Sequence, residues 1–324
     1  MKAIKLISIF TALLMLSALA TGCTQPVKQP LPTQSASPAA SDDTSVALTD
    51  MAGREITLSA PAERIVALTA SDCEILYAVG AGSTLVGRGE YCNYPAEALE
   101  VKSVQSGDET NIEQIIALEP QVVLMSTMAQ STEQIAALEN AGIKVVVSDA
   151  KTIADVYTAI EMIGELVGKK AEATAVIDGM KKTFADIASK VTGNGEKTVY
   201  FEVSPLEYGL WTAGSNTFMD ELAAMLGLKN AFSDVDGWAQ ISEEQVLKND
   251  PDYIVTISMY YGDGPTPVDE IMGRTGWQKL KAIKNGAVLN ADSDEISRPG
   301  PRLADAAMIL YSFVYEADEL APAA

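Results

Sequence analysis

No histidine occurs anywhere in the 324 residues. Its absence excludes Ser-His-Asp and Cys-His nucleophile systems and removes the commonest protein ligand for zinc or haem iron. Positive charge is scarce as well: 23 Lys+Arg face 44 Asp+Glu, a formal charge of −21. Nucleic acid and anionic membrane surfaces need a basic footprint, so neither fits as the main partner. There is no Gly-rich phosphate loop. Carboxylates abound, Glu202 and Glu207 among them, but no pair is singled out for general acid/base work and no nucleophile has a base beside it. What is present is apolar residue, 48% of the chain, enough to bury the cores of about two ordinary domains.

Cysteine is limited to three positions, and each has a distinct setting. Lys2 and Lys5 precede an apolar stretch, Leu6 to Ala20, that is short for a membrane span, and Ala20-Thr21-Gly22-Cys23 follows. This is similar to a bacterial lipobox, with Ala20 where Leu is usual, and it predicts cleavage after residue 22 and lipidation of Cys23. Cys73 and Cys92 remain, and in an exported, oxidising setting they are open to two readings: a disulfide or two partly buried thiols. Thr24 to Ser45 is rich in Pro, Ser, Gln and Ala and cannot bury enough surface to offset its ordering entropy. It reads as a flexible tether.

From Val46 the pattern becomes structured. VALTDMAGREITL (46–58) predicts two short strands around a turn at Asp50 to Gly53. Strand-like runs RIVAL, TLVGR, VVLM and KVVVS then alternate with helical segments, which predicts an α/β lobe with a mostly parallel sheet covered on both faces. Residues 152–191 are helical in pattern, interrupted near Gly168-Lys169-Lys170, with no strand candidate. They predict a connector. The βα rhythm resumes with TVYFEV, a helix at 216–226, DYIVTIS and AVLN, and closes with a helix from Arg302 to Tyr315.

The halves echo one another. NIEQIIALEPQVVL (111–124) aligns without gaps to SEEQVLKNDPDYIV (242–255), pairing Glu113 with Glu244, Gln114 with Gln245 and Pro120 with Pro251. In parallel sheets ligands sit beyond the carboxyl ends of the strands. The segments there are rich in aromatic and soft side chains: Tyr91, Tyr94, Met128, Tyr208, Trp211, Tyr260 and Tyr261, with Trp238 nearby. These either line a cleft or pack beneath their turns. Arg298-Pro299-Gly300-Pro301-Arg302 presents two guanidiniums from a stiff turn. They either hold an anionic ligand or pair with Asp292, Asp294, Glu295 or Asp305.

The ordered set of lipoprotein signal, hairpin, RIVAL, EYCNYPAEA (90–98), NIEQIIALEPQVVL, long helix, WAQISEEQVL (238–247) and RPGPR resembles the substrate-binding proteins of iron-siderophore, haem and cobalamin ABC importers, over Val46 to about Ala317. The resemblance implies two Rossmann-like α/β lobes joined by one long rigid helix, with the ligand in the cleft between them. It divides the chain into a signal peptide (1–22), an anchored linker (23–45), a first lobe (46–150), a connecting helical region (151–192) and a second lobe (193–324). It implies a monomer, held extracytoplasmically to the bilayer by lipid on Cys23, that serves a permease dimer and its ATPase. Glu113 and Glu244 match the acids that dock on the permease, and Tyr91 and Trp238 match ligand-facing positions. With Met128, Trp211, Tyr260, Arg298 and Arg302 these form the expected ligand set. The cargo is a metal chelate, and neither catalysis, nor a resident cofactor, nor a protein metal site is expected. A ferric siderophore leads because of the paired arginines, with cobalamin or another corrinoid next and haem third. An exported enzyme or a tethered sensor on the same plan is the rival outside transport.

Overall fold

The computed structural model describes residues 45–316 except 128–130, 193 and 263. Cys23 and Met128 therefore lie outside the described residues. The chain opens with an antiparallel hairpin, β1 (Val46–Thr49) and β2 (Glu55–Leu58). Asp50, buried in its turn, accepts from the backbone N–H of Ala52, Arg54 and Val147 and from the Arg54 guanidinium. That one carboxylate both closes the turn and pins the hairpin to the first sheet.

The first sheet is entirely parallel. It is built from β3 (Ile65–Ala67), β4 (Leu85–Gly89), β5 (Ser103–Val104), β6 (Val122–Met125) and β7 (Lys144–Val147), in spatial order β5-β4-β3-β6-β7. Helix α1 (Ala70–Ala78) follows β3, α2 (Ile112–Ile116) precedes β6, and α3 (Thr132–Asn140) joins β6 to β7. Period-two alternation sorts the strands onto two cores: Ile65, Ala67, Val122 and Leu124 face one, while Val66, Val123, Met125 and Val145 face the other with Ile115 and Leu138. Both faces are covered, which explains the unbroken apolar runs.

The expected forty-residue connector is two helices. Helix α4 (Ile153–Leu166) packs on β1 and α1, and α5 (Lys170–Lys190) runs on to contact α6 (Phe218–Met225) and α11 (Leu303–Tyr315) of the second lobe. The break falls at Gly168, whose φ of +69° suits glycine. Helix α5 is the longer of the two; its 21 residues extend about 31 Å, and α4 also meets α6 where Ile153 N–H donates to Glu221.

The second sheet contains β8 (Thr198–Ser204), β9 (Trp211–Ala213), β10 (Lys229–Asn230), β11 (Trp238–Gln240), β12 (Tyr253–Thr256) and β13 (Val288–Asn290). Strands β10, β12 and β13 run parallel to β8, but β9 pairs antiparallel with both β8 and β11, so the sheet is mixed. Helices α7 (Glu243–Asn249), α8 (Pro267–Gly273) and α9 (Lys281–Lys284) accompany its outer core around Trp277, Phe232 and Ile254. Its inner face joins the first lobe, α4, α5 and α11 in one continuous core. A single turn, α10 (Ser293–Ile296), is capped by Asp292 and leads to Arg298.

The sequence echo is a repeated backbone. In both copies the cap side chain, Asn111 or Ser242, accepts the N–H of the Gln three residues on. Both helices end in a left-handed non-glycine residue immediately before proline, Glu119 (φ 48°) and Asp250 (φ 43°). The residue after each proline then reaches back to its neighbouring strand: Gln121 Oε1 accepts Arg64 N–H at 3.0 Å and Asp252 Oδ2 accepts Thr198 N–H at 2.9 Å.

Candidate functional site

The parallel strands of each lobe end on a common edge, and the two edges meet where α1 and the loop after β4 face the turn after β13. Three side chains carry that junction. Glu74, on α1 and almost fully buried, receives Arg302 through two bonds, Nε to Oε2 at 3.0 Å and Nη2 to Oε1 at 2.8 Å. It also receives Arg298 Nη1 at 2.8 Å. Arg298 extends the contact to Asn93 Oδ1 at 2.7 Å and the Tyr91 carbonyl at 3.0 Å, and Asn93 donates to Asp294 at 2.8 Å. Tyr94 lies under the Arg302 guanidinium, 4.2 Å from ring centre to carbon. Burial opposes the charge on Arg302, but hydrogen bonding and attraction to Glu74, with the charges of Glu295 and Asp292, together outweigh it and raise the pKa.

This arrangement changes the reading of the RPGPR turn. Asp294 and Glu295 do approach the arginines, at 2.6 and 3.7 Å, but their main partner is a carboxylate of the other lobe. Both guanidiniums tie the turn after β13 to the first lobe at one side of the cleft. Gly300 lies against Ser71 and Glu74, so the stiff turn rests directly on the start of α1. Glu74 was not singled out from sequence. Its signal was there: an acid within ASDCEILYA, a helix whose residues 71–76 are all buried.

The remaining expected residues fall into three groups. Tyr91 (73% exposed) and Tyr260 (44%) stand open at strand ends, with Tyr208 and Tyr261 beside Tyr260. Trp211 and Trp238 are not loop residues: they begin β9 and β11, strands too short to show a period. Trp211 is partly exposed, whereas Trp238 is half-buried and packs on Phe218 at 5.7 Å between ring centres. Glu113 and Glu244 are exposed and occupy the same second position of α2 and α7. Hydrogen bonding to its own N–H and to Ser242 lowers the Glu244 pKa. Cys73 and Cys92 are both buried and are not bonded to one another in this structure.

A cavity of about 710 Å³ opens at the strand ends of the second lobe, within the range of small-molecule sites. Leu206, Tyr208, Met259, Tyr260, Tyr261 and Pro265 are on its wall together with Glu207 and Glu270, and among the described residues no lysine or arginine lines it. Glu270 is shared with a buried network behind the wall: Arg274 binds Glu202 at 2.6 and 2.9 Å and Glu270 at 2.6 Å. Burial raises the Glu202 pKa and the Arg274 pair holds it back. That carboxylate is a structural ion, closed to substrate. No group of three or more His, Cys, Asp or Glu able to hold a metal occurs among the described residues.

The first lobe contributes Asp72, fully buried in the first turn of α1. Oδ2 accepts from Thr69 at 2.5 Å, while Oδ1 has no hydrogen-bond partner. Burial raises its pKa to about 7, against the hydroxyls of Thr69 and Ser148, with Asp149 adding to the rise. The folded state therefore binds this proton more tightly than the unfolded chain does. Its contribution favours folding at low pH and is lost as pH climbs from about 3.8 to about 7. Asp72→Asn should be more stable than the parent by on the order of 3 kcal/mol at about pH 8 and no more stable at about pH 4. Urea denaturation across that range checks it, and a difference independent of pH would contradict it.

A periplasmic binding protein family model matches residues 65–295, spanning both sheets and the cleft edge. This chain belongs to that family. The periplasmic binding protein is 35% identical over 95% of its length, and 96% of the relative's, to the Bacillus subtilis (strain 168) protein named uncharacterized ABC transporter substrate-binding lipoprotein YvrC. It is 28% identical to the vitamin B12-binding protein of Vibrio cholerae, over 76% of this chain and 87% of that one. A crystal structure from Staphylococcus epidermidis ATCC 12228, described as a possible iron-binding (periplasmic solute-binding) protein, superposes with a TM-score of 0.66 at 30% identity, covering 78% of this chain and 99% of that one. The protein is thus a substrate-binding component of an ABC transporter, extracytoplasmic in location, with a permease and an ATPase as partners. Its relatives are binding proteins of transporters rather than enzymes.

Proposed function

We propose that the cargo is a corrinoid. The observation that carries this reading is the commitment of Arg298 and Arg302 to Glu74. Ferric siderophores ranked first on those two cations, and without them the described cavity offers an anionic chelate two carboxylates and no positive partner. A corrinoid needs something else: broad apolar and aromatic walls for the ring, and polar groups for its peripheral amides. Tyr208, Tyr260 and Tyr261 supply both, with Met259 as an adaptable contact. The vitamin B12-binding relative supports the same choice.

In this reading Tyr91 and Trp211 extend the aromatic wall, and Trp238 braces it through Phe218. Met128 belongs to the expected set without described geometry. Glu113 and Glu244 dock on the permease, and the chain acts as a monomer anchored by lipid on Cys23. Tyr208→Ala and Tyr260→Ala should each weaken cyanocobalamin binding by about tenfold, roughly 1.4 kcal/mol, with unchanged thermal stability. Equilibrium dialysis followed by visible absorbance checks this. Full affinity in the double variant would place the cargo elsewhere.

A further inference from the structure

Cys73 and Cys92 lie nineteen positions apart in sequence, and each thiol reaches the segment next to the other. The Cys73 thiol faces the Tyr94 carbonyl at 3.9 Å, reaching the loop that carries Cys92. The Cys92 thiol faces the Ala67 carbonyl of β3 at 3.6 Å, reaching back toward the strand that leads into α1. Each is at most 1% exposed, so the two thiols sit in the same dry interior between β3, α1 and the loop after β4. Their sequence neighbours are the first-lobe half of the inter-lobe junction. Cys73 immediately precedes Glu74, and Cys92 sits between Tyr91 and Asn93, both of which receive Arg298.

We propose that Cys73 and Cys92 form an intramolecular disulfide in the exported protein, stapling α1 to the cleft lip that holds Arg298. The oxidant is a donor disulfide met outside the cytoplasm. One cysteine thiolate attacks it, forming a mixed disulfide and releasing one donor thiol. The second cysteine thiolate then displaces the other donor thiol. Two protein thiols and one donor disulfide become one protein disulfide and two donor thiols, with no net change in electrons. The neighbouring Cys73 side chain and burial push the Cys92 pKa upward, so the exchange belongs to folding, before the lip closes over the pair.

Once formed, the bridge removes freedom from Tyr91 and Asn93 that cargo binding otherwise has to remove. The full chain, secreted by its host and trapped with an alkylating agent before lysis, is digested without reductant and mapped by mass spectrometry. A linked Cys73–Cys92 peptide is expected. Alkylation of both cysteines, or linkage of either to Cys23 or to another chain, would overturn the proposal. The mapping is independent of cargo, so its failure is distinct from failure of the corrinoid reading. Stapling has its own readout: cyanocobalamin should dissociate several-fold faster after reduction of the parent, while Cys73→Ala/Cys92→Ala should not respond to reductant. Equal rates before and after reduction would remove the stapling role.

Discussion

Replacing Glu74 by alanine is expected to lower the unfolding free energy by ~3–5 kcal/mol, the usual consequence of removing one side of a buried ion pair. The argument rests on what is left behind. Arg302 is itself buried, and Arg298 is nearly so, with an 11% exposed side chain. Without the carboxylate, two guanidiniums lose three bonds of 2.8 to 3.0 Å between them. Arg298 retains Asp294 and Asn93, so Arg302 should bear most of the cost. Glu74→Gln keeps the shape but not the charge and should fall between. Because Glu74 and the arginines come from different lobes, the loss should appear together with a wider cleft, seen as an increased distance between spin labels placed at Glu100 and Lys284. A change under about 1 kcal/mol would show that the arginines reach water easily.

The second large effect concerns delivery. Glu113→Ala combined with Glu244→Ala should abolish cellular uptake while leaving affinity for cargo unchanged. Both acids are exposed at helix N-termini, where each contributes about 0.3–1 kcal/mol through the helix dipole. That is too little to unfold a protein of this size, so lost uptake would not trace to lost structure. Two negative groups on matching surfaces of the two lobes suit a partner that presents two positive ones, where charge complementarity sets encounter rate and register. Each single variant should retain partial uptake. Wild-type uptake by the double variant would remove these residues from the docking surface.

Much of the fold was readable because its signals are local. Apolar runs such as VVLM and KVVV have one physical solution, a parallel strand covered on both faces, and they adopt it. The capped echo was equally visible, since Asn111 and Ser242, the Gln at third position and the prolines have local tasks. The short strands around Trp211 and Trp238 were not, because three residues show no period and antiparallel pairing at a sheet edge depends on distant partners. The candidate site was legible in composition and only partly in wiring. RPGPR reads as a stiff cationic turn with acids nearby, and Asp294 does pair with Arg298, but Glu74 lies more than two hundred positions away. Tertiary ion pairs leave no spacing to read; the available clue was a carboxylate in a helix that buries every neighbour.

The measurement that tests the account most directly is a competitive titration of the purified chain, followed by tryptophan fluorescence, against cyanocobalamin, a ferric hydroxamate and haemin. The account predicts saturable one-to-one binding of cyanocobalamin, undisturbed by excess of the other two. Saturable binding of the ferric hydroxamate with none of cyanocobalamin would contradict it.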